Sequence, residues 1–429
     1  MTKPTIVIVG AGFAGYHAAR TLSRLSKRRA EIVLVNPTDY FLYLPLLPEV
    51  AAGVLDPRRV TISLSESLPG VRTVLGEVDH IDLRARQVGW RDAEGARGGC
   101  RYDRVVLTVG SVSKLLPIPG VNEHAHGFRG ISEALYLRDH MTRQVELADL
   151  TDDEAERTAR TTFVVVGAGY TGTEVAAQGV LYTDVLFARH PRLTRRPRWL
   201  LVDRADRVLP ELDQRLSHTA AAVLRRRGVD VRTGVSVEEA TSQAVRLNDG
   251  DCVPSRSLIW CVGVRPDPLV EGLGLGTKHG RLVVDELLTV PGYPEVYAAG
   301  DAAGVPDLTR PGELTPMTAQ HAERQGKRVA HNIAASFGDG DPRPYKHHDL
   351  GFLVDLGGAQ AAANPLGIAL AGPPAKAITR GYHLLALPDN RIRTAADWLL
   401  DAALPRQVVQ LGLATPPPVR PECVPVVSS

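Results

Sequence analysis

Residues 5–15 read Thr5-Ile6-Val7-Ile8-Val9-Gly10-Ala11-Gly12-Phe13-Ala14-Gly15, and residues 162–172 read Thr162-Phe163-Val164-Val165-Val166-Gly167-Ala168-Gly169-Tyr170-Thr171-Gly172. Each stretch is an apolar, β-branched run ending in G-x-G-x-x-G. Apolar residues at successive rather than alternate positions predict a strand buried on both faces of a parallel sheet. In the turn that follows, the first glycine makes the bend and the second lets backbone approach a pyrophosphate. The third lets the next helix pack against the strand, with its N-terminus toward the anion. A helical stretch succeeds each turn, from Tyr16 to about Ser26 and from Thr173 onward. A second apolar strand then closes each unit, Glu31 to Val35 and Trp199 to Val202. One such match is weak evidence. Two in the same context, 157 residues apart from Gly10 to Gly167, predict an internal duplication of a dinucleotide-binding unit.

The polar residue that ends each second strand separates the two sites. Asp203 can accept hydrogen bonds from ribose hydroxyls and would repel a 2′-phosphate, which favours NADH over NADPH, although Arg204 and Arg207 stand close by. The first unit has Asn36 instead, 21 residues after Gly15. An amide oxygen accepts one bond without charge assistance, so Asn36 either contacts a ribose or only caps its strand. Two nucleotide sites in one chain suggest a relay, with a tightly held flavin in the first and an exchanging nicotinamide in the second.

Composition narrows the class further. The chain has 429 residues, which at roughly 150 per domain suggests two or three domains. With 44% hydrophobic and 23% charged residues it is no disordered, collagen-like or disulfide-rich miniature protein. Lys+Arg 50 against Asp+Glu 48 leaves a net charge of +2, so nothing steers the chain toward nucleic acid. Cys100, Cys252, Cys261 and Cys423 sit at no metal or redox spacing. His321, His331, His347 and His348 have no partner at metal spacing either, and no metal is assigned. The N-terminal run from Met1 is cut off by Gly10 before it could serve as a signal segment, and no stretch of about 18 apolar residues occurs. The expected location is the cytoplasm.

The expected fold class is α/β, with two Rossmann-type dinucleotide-binding domains and a short α-rich C-terminal region. The expected divisions are 1–115 (first dinucleotide domain, first part), 116–160 (connection), 161–284 (second dinucleotide domain), 285–345 (first domain, second part) and 346–429. The acidic stretch Asp149 to Arg160 lies near the junction of the two copies, and Arg189 to Arg198 reads as a loop. Pro294 to Asp301 reads as a strand running into a Gly-Asp turn, with helical character from Leu314 to Ile333. The tail shows little β-branched periodicity, one amphipathic stretch from Thr394 to Leu404, and a Pro-rich end from Thr415.

Four stretches together resemble the two-dinucleotide-domain flavoproteins, and among them the type II NADH dehydrogenases (NADH:quinone oxidoreductases). They are VGAGFAGYHAAR, DYFLYLPLLPEVAAGVLDP, VVVGAGYTGTEVAAQ, and VYAAGDAA with TPMTAQHAERQGKRVAHNI. Disulfide-reductase relatives carry a redox cysteine pair in the second region, and Leu42 to Pro48 has none. That excludes glutathione-type and lipoamide-type reductases, and sulfide:quinone reductases likewise.

The resemblance implies non-covalent FAD at Gly10, Gly12, Phe13, Ala14, Gly15 and Asn36, with Gly300 and Asp301 at its ribityl and pyrophosphate end. It implies NADH at Gly167, Gly169, Tyr170, Thr171, Gly172 and Asp203. Val78, Gly110, Gly263 and Ala319 complete the implied cofactor contacts. Glu174 matches the family's acid near the nicotinamide and isoalloxazine, though a helix's first turn favours an acid in any case. Gln320 looks like the family's glutamine beside flavin and quinone, and Pro45 and Leu46 fall on the acceptor side.

Two departures stand out. Many members place a second glutamine four residues after the first, where this chain has Arg324, with Gln325 next. The family's membrane-docking helices are thinned by Asp389, Asn390, Arg391, Arg393 and Asp401. The C-terminal region is therefore open to peripheral contact with the inner face of the cell membrane, packing on the body, or homodimerisation. The implied reaction takes hydride from NADH and passes two electrons to a quinone or quinone-like acceptor. The alternatives are another acceptor (oxygen, a redox protein or a secondary-metabolite substrate) and a nucleotide-binding redox sensor without turnover.

Overall fold

Runs of β-branched residues bury both faces of a strand only when helices cover the sheet on either side, and the chain builds two such sheets. The computed structural model describes residues 3–27, 29–348 and 350–414, so Met1-Thr2, Cys423 and the Pro-rich end from Thr415 lie outside the described residues. The first sheet has the strand order Thr289–Val290, Tyr293–Ala298, Arg104–Leu107, Thr5–Val9, Glu31–Asn36, Arg72–Leu75. All neighbours are parallel except the initial hairpin. The second sheet is parallel throughout, in the order Ala125–Gly127, Ser257–Trp260, Thr162–Val166, Arg198–Asp203, Val229–Thr233.

The duplication extends beyond the glycine turns. In both units the first strand lies between the second strand and a late one, so the strand order reverses beside the glycine turn, where open α/β sheets bind their ligands. Both units also insert three antiparallel strands between their third and late strands. These are Glu77–Asp82, Gln87–Arg91 and Arg97–Arg101 in the first, and Val237–Ala240, Ala244–Leu247 and Cys252–Pro254 in the second. Two chain segments cross between the units as an antiparallel pair, Ser111–Ser113 with Val264–Pro266. Strand Arg281–Val283, on the second unit's side of the expected boundary at 284, pairs with Ala303–Gly304 in the returning first unit.

Helices begin earlier than the sequence suggested: at Phe13 rather than Tyr16, and at Tyr170 rather than Thr173. Gly12 and Gly169 are their N-caps, and neither supplies a side-chain cap. The helical character near 314–333 resolves as helix Ala319–Ser336, which lies against helix Phe13–Ser26. The tail contains a small antiparallel sheet, Leu353–Asp355, Ala361–Ala363 and Leu370–Ala371, before helices Pro373–Ala386 and Arg391–Ala403. Its strands are two or three residues of mostly Ala and Leu, too short for any period to register.

The contact between helices Phe13–Ser26 and Ala319–Ser336 depends on a residue without a side chain. A Cβ on Gly326 would stand 2.1 Å from the carbonyl oxygen of Ala14, against backbone that cannot yield. Gly381, in helix Pro373–Ala386, has nothing within 4 Å of such an atom. Gly326→Ala should therefore destabilise the protein by about 1–3 kcal/mol, while Gly381→Ala should be neutral or stabilise it by up to about 1 kcal/mol. Equilibrium denaturant unfolding checks the opposite signs, and equal effects at the two sites would contradict the packing argument.

Candidate functional site

The two glycine turns share one geometry. Gly10 (φ 91°) and Gly167 (φ 101°) lie in the left-handed region and face backbone of the adjacent late strand's end, at Thr108 and Cys261. A Cβ on Gly15 or Gly172 would sit 1.8 Å from the carbonyl oxygen of Gly10 or Gly167 respectively. On Gly12 or Gly169 the same atom would meet nothing within 4 Å. Only the middle glycine faces open space, with the uncapped N–H groups of a helix N-terminus beside it. Both cradles thus fit a diphosphate brought against bare backbone.

The strand-end residues brace these turns. The Asn36 side-chain oxygen accepts the amide of Ala11 at 2.7 Å, and its nitrogen donates to the carbonyl and hydroxyl of Thr38. One Asp203 carboxylate oxygen accepts the amide of Ala168 at 2.5 Å, and the other accepts that of Ala205 at 2.7 Å. Asn36 therefore does more than end its strand: it holds the middle of the turn, as Asp203 does in the second copy. Arg207 donates to the Pro210 carbonyl, and Arg204 is exposed.

Around the first cradle, Gly110 (φ 77°) follows strand Arg104–Leu107, and Gly300 (φ 73°) opens a 3-10 turn after Tyr293–Ala298. A Cβ on Gly300 would press on Ala14 and Ala322 at 3.2 and 3.5 Å. The Gly300 amide donates to the buried Gln325 side-chain oxygen at 2.8 Å, and Gln325 donates on to Thr315 at 3.0 Å. Gln325 is thus a clamp on the Gly-Asp turn. Asp301 accepts from the Ser111 hydroxyl at 2.5 Å. Val78 pairs with Trp90 in the first inserted sheet and packs on the main core. Gly263 (φ 77°) is the second unit's counterpart of Gly110, just past the end of Ser257–Trp260.

Gln320 and Ala319 form the first turn of helix Ala319–Ser336 and are half-buried. Arg324 shares the face of Gln320 one turn on, but its guanidinium meets His347 Nδ1 at 3.2 Å and donates to the His348 carbonyl. The His321 and His347 rings lie 3.8 Å apart, and the Tyr345 hydroxyl reaches His321 Nδ1 at 2.9 Å. Burial pushes His321 down to about 4, which favours a neutral ring beside Arg324. Of the two residues expected on the acceptor side, Pro45 is half-buried and Leu46 is packed into the main core.

Below that segment lies a cluster of charge that the sequence reading missed. Lys376, buried in helix Pro373–Ala386, pairs with an Asp355 carboxylate oxygen and stands 3.5 Å from Glu49 Oε1. Glu49 Oε2 accepts the indole N–H of Trp398 at 2.5 Å. The Asp355 amide donates to Glu174 Oε1 at 2.9 Å, and the Gln178 side chain donates to Asp355 Oδ1 at 3.3 Å. Two carboxyls thus pair with one ammonium, and a third, Glu174, joins them through the Asp355 amide. Desolvation, reinforced by Asp355, pushes Glu49 up to about 7 against the opposing pull of Lys376. Desolvation also raises Glu174 well above the ordinary carboxylate range, although the Asp355 amide favours its charged form. Glu174 lies in the second turn of its helix, past the reach of the N-terminal dipole, so the macrodipole does not explain it. Nearby, the Tyr43 hydroxyl reaches His383 Nδ1 at 3.0 Å, and burial holds His383 at about 4. A lone acid in the apolar run Leu44 to Ala52 was the available signal, since a buried carboxyl requires partners from elsewhere in the chain.

The comparisons agree with this architecture. Residues 4–326 match the family model described as pyridine nucleotide-disulphide oxidoreductase. The chain is 31% identical over 412 residues to the type II NADH:quinone oxidoreductase NdhA of Mycobacterium tuberculosis, covering 91% of this chain and 85% of that one. It is 29% identical over 446 residues to the internal alternative NAD(P)H-ubiquinone oxidoreductase A1, mitochondrial, of Solanum tuberosum, covering 95% and 88%. Its fold matches the structure of NDH2 from Plasmodium falciparum in complex with NADH with a TM-score of 0.88 at 18% identity, covering 95% of this chain and all of that one. With two glycine cradles, no cysteine pair between Leu42 and Pro48, and these matches across nearly its whole length, the chain belongs to the pyridine nucleotide-disulphide oxidoreductase family and, within it, to the type II NADH:quinone oxidoreductases.

Proposed function

We propose that the protein binds FAD in its first unit and NADH in its second, and passes two electrons from NADH to a quinone. The observation that carries this reading is the pair of cradles in which only the middle glycine is open. FAD, when bound, supplies the exchange of two electrons between a hydride donor and an acceptor. The chain's own residues supply position and protons. A hydride brings two electrons and one proton, whereas forming a quinol takes two electrons and two protons, so one further proton must reach the acceptor. Glu174, whose proton affinity burial raises well above the ordinary carboxylate range and which is linked through the Asp355 amide to Lys376 and Glu49, is the group we assign to that supply. Asp203 contributes NADH preference, and Gln320 lies on the acceptor side. Arg324, tied to 347–348, shapes the wall there.

The same reading gives the C-terminal region a lipid partner. Trp398 is buried against the body, but Leu385, Ile392 and Leu399 are 76%, 85% and 71% exposed. Leu400, Leu404, Leu411 and Leu413 extend this apolar surface. Among the described residues no helix is long and apolar enough to cross a membrane. A surface of this kind suits peripheral docking on the cytoplasmic face of a membrane, where a lipophilic quinone is dissolved and NADH is at hand.

Anaerobic rapid mixing tests the chemistry. NADH should bleach the flavin absorbance and a quinone should restore it. Reduction without reoxidation by any quinone would point to another acceptor, and binding without reduction to a sensor. Because burial raises Glu174 well above the ordinary carboxylate range, reoxidation should hold steady as pH rises through that range and decline only above it. Glu174→Gln should slow that half-reaction about 10²-fold and abolish the decline, leaving flavin reduction nearly unchanged.

The cradles make a second prediction. Gly12→Val should fold yet purify colourless, while Gly169→Val should remain yellow and lose NADH binding, as read by absorbance and titration. A yellow Gly12→Val protein would contradict the assignment of the first cradle. For the membrane, sedimentation with phospholipid vesicles should pull down the wild type, and Ile392→Glu with Leu399→Glu should leave it in the supernatant. A dimer that dissociates on the same double substitution, with no vesicle binding, would assign the surface to a second copy instead.

A further inference from the structure

The Asp301 carboxylate sits at the end of the first sheet, where the proposed FAD reading also brings a diphosphate. Two anions in one cleft repel, and the repulsion grows as the cleft is closed to water. A compensating cation is therefore expected, and the glycine motifs do not announce one. Ser111 lies four residues past the end of strand Arg104–Leu107, and Asp301 three residues past its neighbour Tyr293–Ala298. The Ser111 hydroxyl donates to Asp301 Oδ2 at 2.5 Å and accepts from Arg129 Nη2 at 3.0 Å. One hydroxyl can do both at once, so the guanidinium and the carboxylate are joined through a single oriented bridge.

Arg129 comes from the other unit. It lies two residues past strand Ala125–Gly127, which pairs with Ser257–Trp260 in the second sheet. Its backbone is fixed as well: a Glu133 carboxylate oxygen accepts the amides of Arg129 and Gly130, the latter at 2.7 Å. Both amides go to Glu133 Oε2, and Glu133 makes no ion pair with the guanidinium among the described residues. The Ser111 hydroxyl is the one side-chain partner recorded for this guanidinium among the described residues, and burial lowers its pKa while Asp301 and Glu133 raise it. A guanidinium offers five donors, and removing its charge from water without partners is costly. Arg129 is half-buried; Arg281 is a buried guanidinium near Asp301, but its Nη1 is committed to the Thr315 carbonyl at 2.7 Å.

We propose that Arg129 is a cofactor-binding residue of the FAD site: the countercharge, bridged by Ser111, that lets the Asp301 carboxylate and the dinucleotide diphosphate occupy one cleft. The inference rests on the FAD reading above. It also makes the flavin site a product of both units, because the cation is anchored in the nicotinamide-side sheet.

The test uses intact holoenzyme and reads FAD affinity from the recovery of free-flavin fluorescence on dilution, with circular dichroism to establish folding. Arg129→Gln should raise the FAD dissociation constant at least ~10-fold, and Arg129→Lys, which keeps the charge, should raise it less. In an Asp301→Asn background, where there is no carboxylate to offset, Arg129→Gln should cost no more than about 3-fold. Unchanged affinity in Arg129→Gln overturns the proposal, as does an equal loss in both backgrounds, which would mean that Arg129 acts independently of Asp301. If Arg129→Gln does not fold, Arg129→Lys carries the comparison alone, and equal losses from it with and without Asp301 overturn the proposal. A wild type that carries no FAD would instead defeat the cofactor reading itself.

Discussion

Backbone must come within touching distance of a diphosphate, twice in one chain, and most of the architecture follows from that contact. A side chain at Gly12 or Gly169 would occupy the space the ligand needs, while one at Gly15 or Gly172 would force the helix off its strand. The turn between them has to be held against the repulsion of its own converging amides. Asn36 and Asp203 hold it by accepting the Ala11 and Ala168 N–H groups. In the first copy the Thr108 hydroxyl, shared between the Val9 and Gly10 carbonyls, adds a further brace. The strand that carries the turn must lie between two others, so a long excursion has to return a later strand to its far side. Both copies make that excursion with three antiparallel strands.

What the sequence disclosed is what this contact requires locally. The turns, their flanking strands and the bracing residues all fall within about forty residues of one another, and each carries a signature in residue type. The fold class and the duplication were legible for that reason. Residues whose meaning depends on distant partners were not. Glu49, Asp355, Lys376 and Trp398 come from four separate segments, and only their convergence makes them a site. By sequence Gln325 is only the residue after Arg324, because spacing along a helix says nothing about which neighbour claims the side chain. The structure turns it inward to the Gly300 amide. Ser111 and Arg129 carry no motif at all.

The two copies have diverged where their tasks differ. The first unit ends its second strand in a neutral amide and the second in a carboxylate, so an identical brace carries different charge toward the two ligands. In the first unit, Gly300 and Gly326 admit a second helix against Phe13–Ser26, so its cradle is closed by chain that returns from beyond residue 285. In the second unit Gly179 instead admits the buried Trp199 ring, where a Cβ would stand 2.2 Å away. Small residues thus serve helix against helix in one copy and helix against indole in the other.

The buried charge cluster is hard to explain by stability alone. Ion pairs withdrawn from water rarely repay their desolvation, and apolar residues of similar size often serve stability as well or better. Here two carboxyls pair with one ammonium and a third is held on the Asp355 amide, an excess of acids whose burial favours keeping protons on some of them, in line with the raised Glu49 and Glu174. The partners that complete it, Lys376 and Trp398, lie on the two helices that bear the exposed apolar surface. Helix Arg391–Ala403 is fixed further by Asp397, which pairs with Arg59 at 2.8 Å and accepts the Asp56 amide. The helices that form this surface therefore cannot leave the body without exposing Glu49 and Lys376 to water, and exposure would return Glu49 toward its ordinary range and release its proton. Attachment of the C-terminal region and retention of protons near Glu174 are in this way one structural condition.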